Sequence, residues 1–502
     1  MIAIVDFGSQ YTQLIARRIR ECRVYSEIFS SRTPARRILD QRPDGIILSG
    51  GPGSVYETDP RVWAPLFESG RPVLGICYGM QLAAEVLGGR VKKSPNREYG
   101  PALVSAAGSS LFRNLPRSFT AWMSHGDSVI RIPPGSRVIA YTGVTAIAGF
   151  QHLNVYALQF HPEVRHTKYG VRIIDNFLTR VCHAEKNWTM NRFIREKVEE
   201  IRTVIGPHKA LCAISGGVDS TVAAALTARA IGKNLVGIFV DNGLLRMNEE
   251  REVLRRLSSL IDLKVVDARH RFLTRLAGIK DPERKRKIIG REFIRVFEHE
   301  ARRHHGLTSL IQGTLYPDVI ESGRGIGPAD VIKSHHNVGG LPKRMKLKIV
   351  EPLRMLFKDE VRALGRTLNL PESFIQRKPF PGPGLAVRIV GRITPQRLEV
   401  LRNADRILLE EAQALRSYRN IWQIFAVLLP LGSVGVMGDR RTYDSVCSIR
   451  AVTSDDGMTA DWARLPHRFL AKVSSRITNE VKGINRVVFD ISSKPPATIE
   501  WE

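Results

Sequence analysis

The sequence predicts an α/β protein: two doubly wound, mostly parallel-sheet domains followed by a smaller α+β C-terminal domain. Two successive stretches alternate short apolar segments with helical patterns, which is typical of parallel sheets covered by helices. In each stretch a glycine-rich loop follows an apolar segment and opens a helix. A proline- and glycine-rich segment, residues 379–384, then precedes β-rich stretches and a helix near residues 466–482. We therefore expect domains at residues 1–188, 189–377 and 378–502.

The composition is that of a globular protein. Of 502 residues, 43% are hydrophobic and 25% are charged, which excludes wholesale disorder. No apolar run approaches the ~18 residues of a membrane span, and the first residues lack the basic start of a secretory signal. The cysteines are too few and too scattered for a disulfide framework, and none forms a Cys-x-x-Cys pair. We expect a cytoplasmic protein without membrane contact.

The net charge is the exceptional property of this sequence. Lys and Arg number 76 against 49 Asp and Glu, which gives a formal charge of +27 and raises nucleic-acid binding as a hypothesis. The excess is spread along the chain, however, and the densest basic run, residues 284–287, is short and precedes Ile288 and Ile289. We therefore expect a generally basic solvated surface that favours anionic small substrates, and no nucleic-acid partner.

The first domain places a cysteine at a strand-to-helix turn. Strands are expected at residues 2–5, 45–48, 73–76 and 155–160. The segment Gly75-Ile76-Cys77-Tyr78-Gly79 follows the third of these and opens a helical pattern at residues 80–87, as in a nucleophile elbow. A helix N-terminus favours the thiolate form of Cys77. The backbone N–H groups of Tyr78 and of the Gly50-Gly51 loop, Gly51 in particular, are the expected oxyanion donors.

A nucleophilic thiol needs a base and a group that orients the base. His161 and Glu163 directly follow the strand at residues 155–160. Because parallel strands carry their chemistry at their carboxyl ends, His161 can meet Cys77 there, and Glu163 can hold the imidazole tautomer. His125 is the alternative base, but no acidic residue follows it at the corresponding offset. We read the other four cysteines, Cys22, Cys182, Cys212 and Cys447, as structural.

The second domain carries a candidate phosphate-binding loop. Ser215-Gly216-Gly217-Val218-Asp219-Ser220 lies between an expected strand at residues 210–214 and a helix expected from Thr221. Glycine amides, the helix N-terminus and the serine hydroxyls suit phosphate oxygens, and Asp219 could hold Mg²⁺ that bridges phosphates. No Walker-type sequence with its lysine is present. A plain tight turn is the alternative. Asp241 ends the next expected strand, at residues 235–240, where a nucleoside contact is expected.

Three first-domain motifs together resemble the class I glutamine amidotransferases: residues 49–53, 75–81 and 159–163. The resemblance implies glutamine hydrolysis through a γ-glutamyl thioester at Cys77, with release of ammonia, His161 as base and acid, and Glu163 as its partner. The loop in the second domain resembles the ATP pyrophosphatases, which split ATP between its α and β phosphates. That resemblance implies ATP contacts from Ser215, Gly216, Gly217, Val218, Asp219, Ser220, Thr221 and Asp241.

Over nearly its full length the chain resembles the family of glutamine-hydrolysing GMP synthetases. The further motifs are residues 317–322, 332–342, 379–385, 433–439 and 494–502. The resemblance implies that ATP with Mg²⁺ adenylates XMP at its C2 oxygen and that ammonia displaces AMP to give GMP. By residue-wise match, the XMP contacts are Asp318, Gln423, Lys494 and Glu500. Lys333 is expected in a mobile lid over the nucleotide.

The same resemblance implies a homodimer formed through the C-terminal domain, with XMP, ATP and glutamine as substrates and no tightly bound organic cofactor. Lys378 departs from the family, which usually has histidine before the residue equivalent to Pro379. Two alternatives remain open. A tRNA-modifying enzyme with the same loop would suit the basic charge, and a non-catalytic binding protein would carry degenerate sites.

Overall fold

The computed structural model describes residues 1–57, 59–258, 260–304, 306–321, 347–437, 440–454 and 459–502. These residues divide into two compact units. The amino-terminal unit comprises residues 1–193 and the helix Tyr316–Glu321, and the carboxyl-terminal unit comprises residues 194–315 and the described residues from 347 onward. Helix α6, defined below, continues from the first unit into the second.

The described part of the amino-terminal unit is built on a nine-stranded sheet with the order β2-β1-β3-β4-β9-β8-β7-β5-β6. Its strands are β1 (Ile2–Asp6), β2 (Ser26–Ser30), β3 (Gly45–Leu48), β4 (Val73–Ile76), β5 (Arg90–Ala106), β6 (Ser118–Arg131), β7 (Arg137–Tyr141), β8 (Gly149–His152) and β9 (Val155–Leu158). The strands from β2 to β9 in this order are parallel, and the remaining pairs are antiparallel. The central strands β3 and β4 are buried along their whole length, as expected for strands covered on both faces.

The helices of this unit cover the parallel part of the sheet. They are α1 (Thr12–Glu21), α2 (Ala35–Leu39), α3 (Ala64–Glu68), α4 (Tyr78–Val86) and α5 (Gly170–Asn176), and the boundary between the units falls within α6 (Met190–Ile205). The strands expected at residues 45–48 and 73–76 are confirmed, whereas the strand expected at 155–160 ends at Leu158. The long hairpin of β5 and β6 is a feature that the sequence patterns did not predict.

The carboxyl-terminal unit begins with a parallel sheet of order β12-β11-β10-β13-β14. Its strands are β10 (Lys209–Ile214), β11 (Leu235–Asp241), β12 (Asp262–Asp267), β13 (Leu307–Ile311) and β14 (Lys348–Val350). Its helices are α7 (Val218–Ile231), α8 (Glu249–Leu257), α9 (Arg269–Leu276) and α10 (Pro282–Arg303). The next helix, α11 (Tyr316–Glu321), belongs to the amino-terminal unit.

A second, mainly antiparallel sheet completes the unit, with β18 parallel to β16. The remaining elements are α12 (Lys358–Thr367), α13 (Glu372–Ile375), α14 (Pro395–Gln413), β15 (Gln423–Met437), β16 (Arg440–Thr453), β17 (Asp461–Trp462), α15 (His467–Glu480) and β18 (Ile484–Asp490). The α/β fold with large, mostly parallel sheets and an α+β C-terminal region is therefore confirmed.

One buried apolar cluster runs through both sheets of the carboxyl-terminal unit. It includes Leu211 and Ile238 from the parallel sheet and Leu401, Ile424 and Ile477 from the C-terminal region. This shared core explains why residues on both sides of the expected boundary at 377/378 form one compact unit. Within the described residues, no helix is both long and apolar enough to cross a membrane.

Candidate active site

Cys77 lies at a strained turn between β4 and α4. Its backbone has φ 51° and ψ −105°, a conformation that costs about 1–3 kcal/mol for a residue with a side chain. A Cβ on Gly75 would lie 2.4 Å from the carbonyl oxygen of Gly79, and a Cβ on Gly79 would lie 2.4 Å from that of Leu48. Positions 75 and 79, two residues before and after Cys77, therefore require glycine, and the turn presents the thiol at the carboxyl end of the sheet.

The structure brings His161 and Glu163 to this thiol. The imidazole Nδ1 of His161 lies 2.7 Å from Oε1 of Glu163, and Cys77 is close enough to the ring to influence its pKa. Glu163 is fully buried and His161 is 3% exposed. Burial lowers the pKa of His161, but the charge of Glu163 and the contact with Cys77 outweigh it, so the pKa is raised well above its usual value. The arrangement favours a protonated imidazole beside Cys77.

The glycine loop and the start of α4 border the same thiol. A Cβ on Gly50 would lie 3.2 Å from Cε1 of His161 and 3.7 Å from Cβ of Cys77, whereas one on Gly51 would face the carbonyl oxygen of Phe7. Tyr78 is the first residue of α4, so its amide has no acceptor four residues back within that helix. Donors for an oxyanion can therefore come from both segments.

His125 has an acidic neighbour that the sequence spacing did not reveal. In the β5–β6 hairpin, Glu98 lies directly opposite His125, and Oε2 of Glu98 is 3.6 Å from Nε2 of His125. The hydroxyl of Thr145 donates to the same carboxylate at 2.7 Å. Burial lowers the pKa of His125 despite Glu98. Nε2 of His125 has no hydrogen-bond partner among the described residues, whereas Glu163 orients the ring of His161, so His161 is the stronger candidate for the base.

In the glycine loop of the second domain, the two serine side chains at its ends contact each other. The Oγ atoms of Ser215 and Ser220 are 3.0 Å apart, and Ser220 Oγ accepts from the Ser215 amide at 3.2 Å. Gly216 has φ 73°, a left-handed conformation that glycine adopts without strain. Helix α7 begins at Val218, earlier than the expected Thr221, so Val218, Asp219, Ser220 and Thr221 all lie in its first turn. Loop amides and the helix N-terminus form a cradle for anionic oxygens.

Asp219 has one carboxylate oxygen available for a cation. Its Oδ2 pairs with the ammonium group of Lys358 at the start of α12. Its Oδ1 is buried without a hydrogen-bond partner in the described part of the chain. A hard oxygen ligand of this kind suits Mg²⁺. The described residues contain no group of three or more His, Cys, Asp or Glu suited to a metal, and Mg²⁺ is commonly held by one or two carboxylates together with water and substrate phosphates.

Two cationic side chains contact this loop that no sequence motif predicts. Lys358 pairs with Asp219, and the guanidinium of Arg377 donates to the carbonyl oxygen of Gly216 while pairing with buried Glu249. Neither lies in a recognisable motif, because each reaches the loop from more than a hundred residues away. At the end of β11, buried Asp241 accepts from the amide of Gly243 at 2.9 Å.

Two of the three XMP contacts predicted in the C-terminal region meet directly. The amide nitrogen of Gln423 donates to Oε1 of Glu500 at 2.7 Å, and Arg388 binds both oxygens of Glu500, at 2.9 and 3.1 Å. Arg388 is fully buried and was not singled out from the sequence. The main chain of Lys494 pairs with Ala460, with N–O distances of 2.7 and 3.0 Å.

The remaining predictions have separate locations. Asp318 lies on α11, in the amino-terminal unit. Lys333 lies outside the described residues. Lys378, the departure from the family pattern, donates to the carbonyl oxygens of Ile421 and Arg419.

Comparisons with known proteins agree along the whole chain. Residues 3–181 match the family described as glutamine amidotransferase class-I, residues 188–262 match NAD synthase, and residues 410–501 match the GMP synthase C terminal domain. Three curated relatives named GMP synthase (glutamine-hydrolyzing) come from Chlorobium chlorochromatii, Brachyspira hyodysenteriae and Aquifex aeolicus. They are 56%, 55% and 54% identical, and each match covers 100% of this chain and 99% of the relative.

Proposed function

This chain belongs to the family of glutamine-hydrolysing GMP synthases, and from that premise we propose how its residues divide the synthesis of GMP. Glutamine hydrolysis in the amino-terminal unit supplies ammonia. In the carboxyl-terminal unit ATP adenylates the C2 oxygen of XMP, and ammonia displaces AMP, with pyrophosphate and glutamate as the other products. The observation that carries this division is the meeting of Cys77, His161 and Glu163 in one unit, with an intact serine–glycine loop in the other.

Hydrolysis of glutamine uses Cys77 as the nucleophile. His161 holds the proton of the thiol, and the sulfur attacks the side-chain amide carbon of glutamine. The developing oxyanion accepts from the amides of Tyr78 and Gly51, and His161 returns the proton to the departing ammonia. Water, deprotonated by the same imidazole, then releases glutamate from the thioester. Glu163 orients the ring throughout.

The serine–glycine loop binds the phosphates of ATP. Amides of Gly216, Gly217 and Val218 and the hydroxyls of Ser215, Ser220 and Thr221 receive the oxygens of the leaving pyrophosphate. The free Oδ1 of Asp219 fits Mg²⁺, which neutralises phosphate charge when bound. Asp241 is proposed to contact the adenosine, and no tightly bound organic cofactor takes part.

The XMP site of the carboxyl-terminal unit is proposed to use Gln423, Lys494 and Glu500, and Asp318 stays a predicted XMP contact from the family resemblance alone. The contact between Gln423 and Glu500 supports it, since an amide and a carboxylate suit ribose hydroxyls and base edges, while Lys494 suits a phosphate. The domain boundaries at 188/189 and 377/378 are proposed with it. A cytoplasmic location and the absence of a nucleic-acid partner complete the proposal. Weak salt dependence of activity and no retention on immobilised DNA would support the latter.

The decisive experiment measures the nucleotide product. The purified protein is incubated with ATP, Mg²⁺, XMP and glutamine, and we expect stoichiometric GMP and AMP without ADP. Ammonium should replace glutamine. Formation of ADP, or ATP cleavage that depends on tRNA rather than XMP, would contradict the proposal and favour the tRNA-modifying alternative. Absence of any turnover would favour the non-catalytic one.

Replacing Glu163 by glutamine tests its role beside His161. Glu163→Gln removes the negative charge that raises the pKa of His161, so glutamine hydrolysis should fall about 10²-fold or more. The folded-state pKa of His161 is raised, so its stabilising contribution is full below the unfolded value of about 6.5 and is lost as pH rises through the folded value. The variant should therefore be destabilised most near about pH 6 and least in alkali.

Denaturant titrations across pH and a glutaminase assay measure both effects. Glu68→Gln, at an exposed glutamate of the same unit, serves as the control and should change neither quantity. A stability difference that grows as the pH rises would contradict the assigned pairing.

A homodimer is proposed through the hairpin of β15 and β16. Val434, Val436 and Tyr443 share one face of this hairpin and are 42%, 75% and 75% exposed. Apolar side chains grouped in this way are costly in water unless a second copy covers them. Val436→Asp should convert the dimer to monomers in light scattering while the monomer stays folded, because the side chain is exposed in the single chain. Tyr141→Glu, at an exposed residue of the amino-terminal unit, should leave the dimer intact.

A further inference from the structure

The last residues of this sequence are bound by the basic run at residues 284–287, for which the sequence predicts a solvated surface. The side-chain carboxylate of Glu502 pairs with Lys285 and accepts from the amide of Gly391 at 2.9 Å. Arg286 binds the main-chain oxygen of Glu502. Lys285 is fully buried, which corrects the expectation for the run at residues 284–287, because one turn of α10 turns this lysine toward the core.

Lys285 also holds the turn that carries Arg388. Its ammonium group donates to the carbonyl oxygens of Ile389 at 2.8 Å and of Ala386 at 3.2 Å. Arg388 lies on this turn, Gly384–Arg388, and binds Glu500. Lys285 therefore fixes the tail at Glu502 directly and at Glu500 through Arg388.

Packing alone does not explain a lysine at this position. Ile289, one turn further along α10, already belongs to the apolar cluster that includes Leu385 and Ala386. An apolar side chain at 285 would extend that cluster without the cost of removing an ammonium group and a carboxylate from water. The ion pair instead fixes the position of the tail, because charged groups that make several directional hydrogen bonds are satisfied in only one arrangement.

We propose that Lys285 is a positioning residue for the acceptor nucleotide: through Glu502 and the turn at 384–389 it sets the tail that presents Lys494 and Glu500 to XMP. This inference rests on the proposed function, in which the tail contacts XMP. The residue itself touches no substrate. It keeps the carboxylate of Glu500 next to Gln423, where the two together can recognise the nucleotide.

The test is a kinetic comparison with ammonium as nitrogen donor. Lys285→Met keeps the length of the side chain and removes its charge, and KM for XMP should rise about tenfold or more, while KM for ATP stays within about twofold. Lys287→Met is the control: it lies on the same helix, its side chain is 59% exposed, and its pairing with Glu283 is 3.9 Å long. It should change neither constant.

A double substitution separates positioning from general stability. Glu502→Gln should raise KM for XMP less than Lys285→Met, and adding Lys285→Met to it should give a smaller rise than in the wild-type chain, because both act through one contact. Hydrogen exchange should speed up in peptides from residues 491–502 and not in those from β10 and β11. This second readout also serves if the soluble yield of Lys285→Met is low, since Glu502→Gln alone should show it.

The possible results distinguish a failure of the positioning role of Lys285 from a failure of the proposed GMP synthesis. Wild-type protein that makes no GMP from XMP would overturn the proposed function. Wild-type protein that makes GMP, together with a Lys285→Met variant whose Tm falls while KM for XMP is unchanged, would overturn only the positioning role. An equal rise in KM in Lys287→Met would overturn it as well.

Discussion

Cys77→Ala is expected to abolish GMP synthesis from glutamine, by about 10³-fold or more, while synthesis from ammonium stays near the wild-type rate. Alanine has no atom that can form the thioester, so ammonia is no longer released. The serine–glycine loop and residues Gln423, Lys494 and Glu500 lie in the other unit, so the change does not touch their contacts. The measurement is GMP formation with each nitrogen donor at saturating ATP and XMP.

The matched control is another buried cysteine of the same unit. Burial raises the pKa of Cys22 to about 12, so its thiol stays protonated at neutral pH and cannot act as a nucleophile. Cys22→Ala should therefore retain glutamine-driven synthesis. If Cys77→Ala also retained it, the nucleophile would have to be sought elsewhere.

Asp219→Asn is expected to remove synthesis from both nitrogen donors, by about 10²-fold or more. Asparagine keeps the size of the side chain but loses the negative charge that pairs with Lys358 and that the free Oδ1 offers to a cation. The phosphates of ATP would then be bound without the carboxylate that is proposed to hold Mg²⁺. Release of AMP with ammonium as donor measures the loss, and glutamine hydrolysis measured alone should persist.

Asp262→Asn provides the comparison for this variant. Asp262 is exposed and begins β12, at the opposite end of the parallel strands from the serine–glycine loop. The change should leave AMP release unaltered. Retained AMP release in Asp219→Asn, or restoration of its activity without added Mg²⁺, would contradict a metal ligand at this position.

Local patterns in the sequence were enough to predict the main junctions of the fold. Glycines around Cys77 and in the loop at 215–220 predicted strand-to-helix turns, and the structure has both. His161 could be paired with Cys77 because both follow apolar strand segments, and parallel strands end at one edge of a sheet. The two turns depend on residues close together in the chain, whose backbone preferences are intrinsic, and the pairing of His161 with Cys77 needs only the parallel sheet that such local patterns predict.

Contacts between distant segments were decided by tertiary structure alone. Glu98 faces His125 because of the register of a hairpin, and Arg377 reaches Gly216 across 161 positions. The sequence predicts that the basic run around Lys285 is exposed to solvent, whereas the packing of α10 buries this side chain next to Glu502. The physical reason is that a local residue pattern indicates only which face of a helix or strand is exposed to water. Which residue pairs with a buried charge depends on how the whole chain packs, and therefore on the free energy of the complete fold.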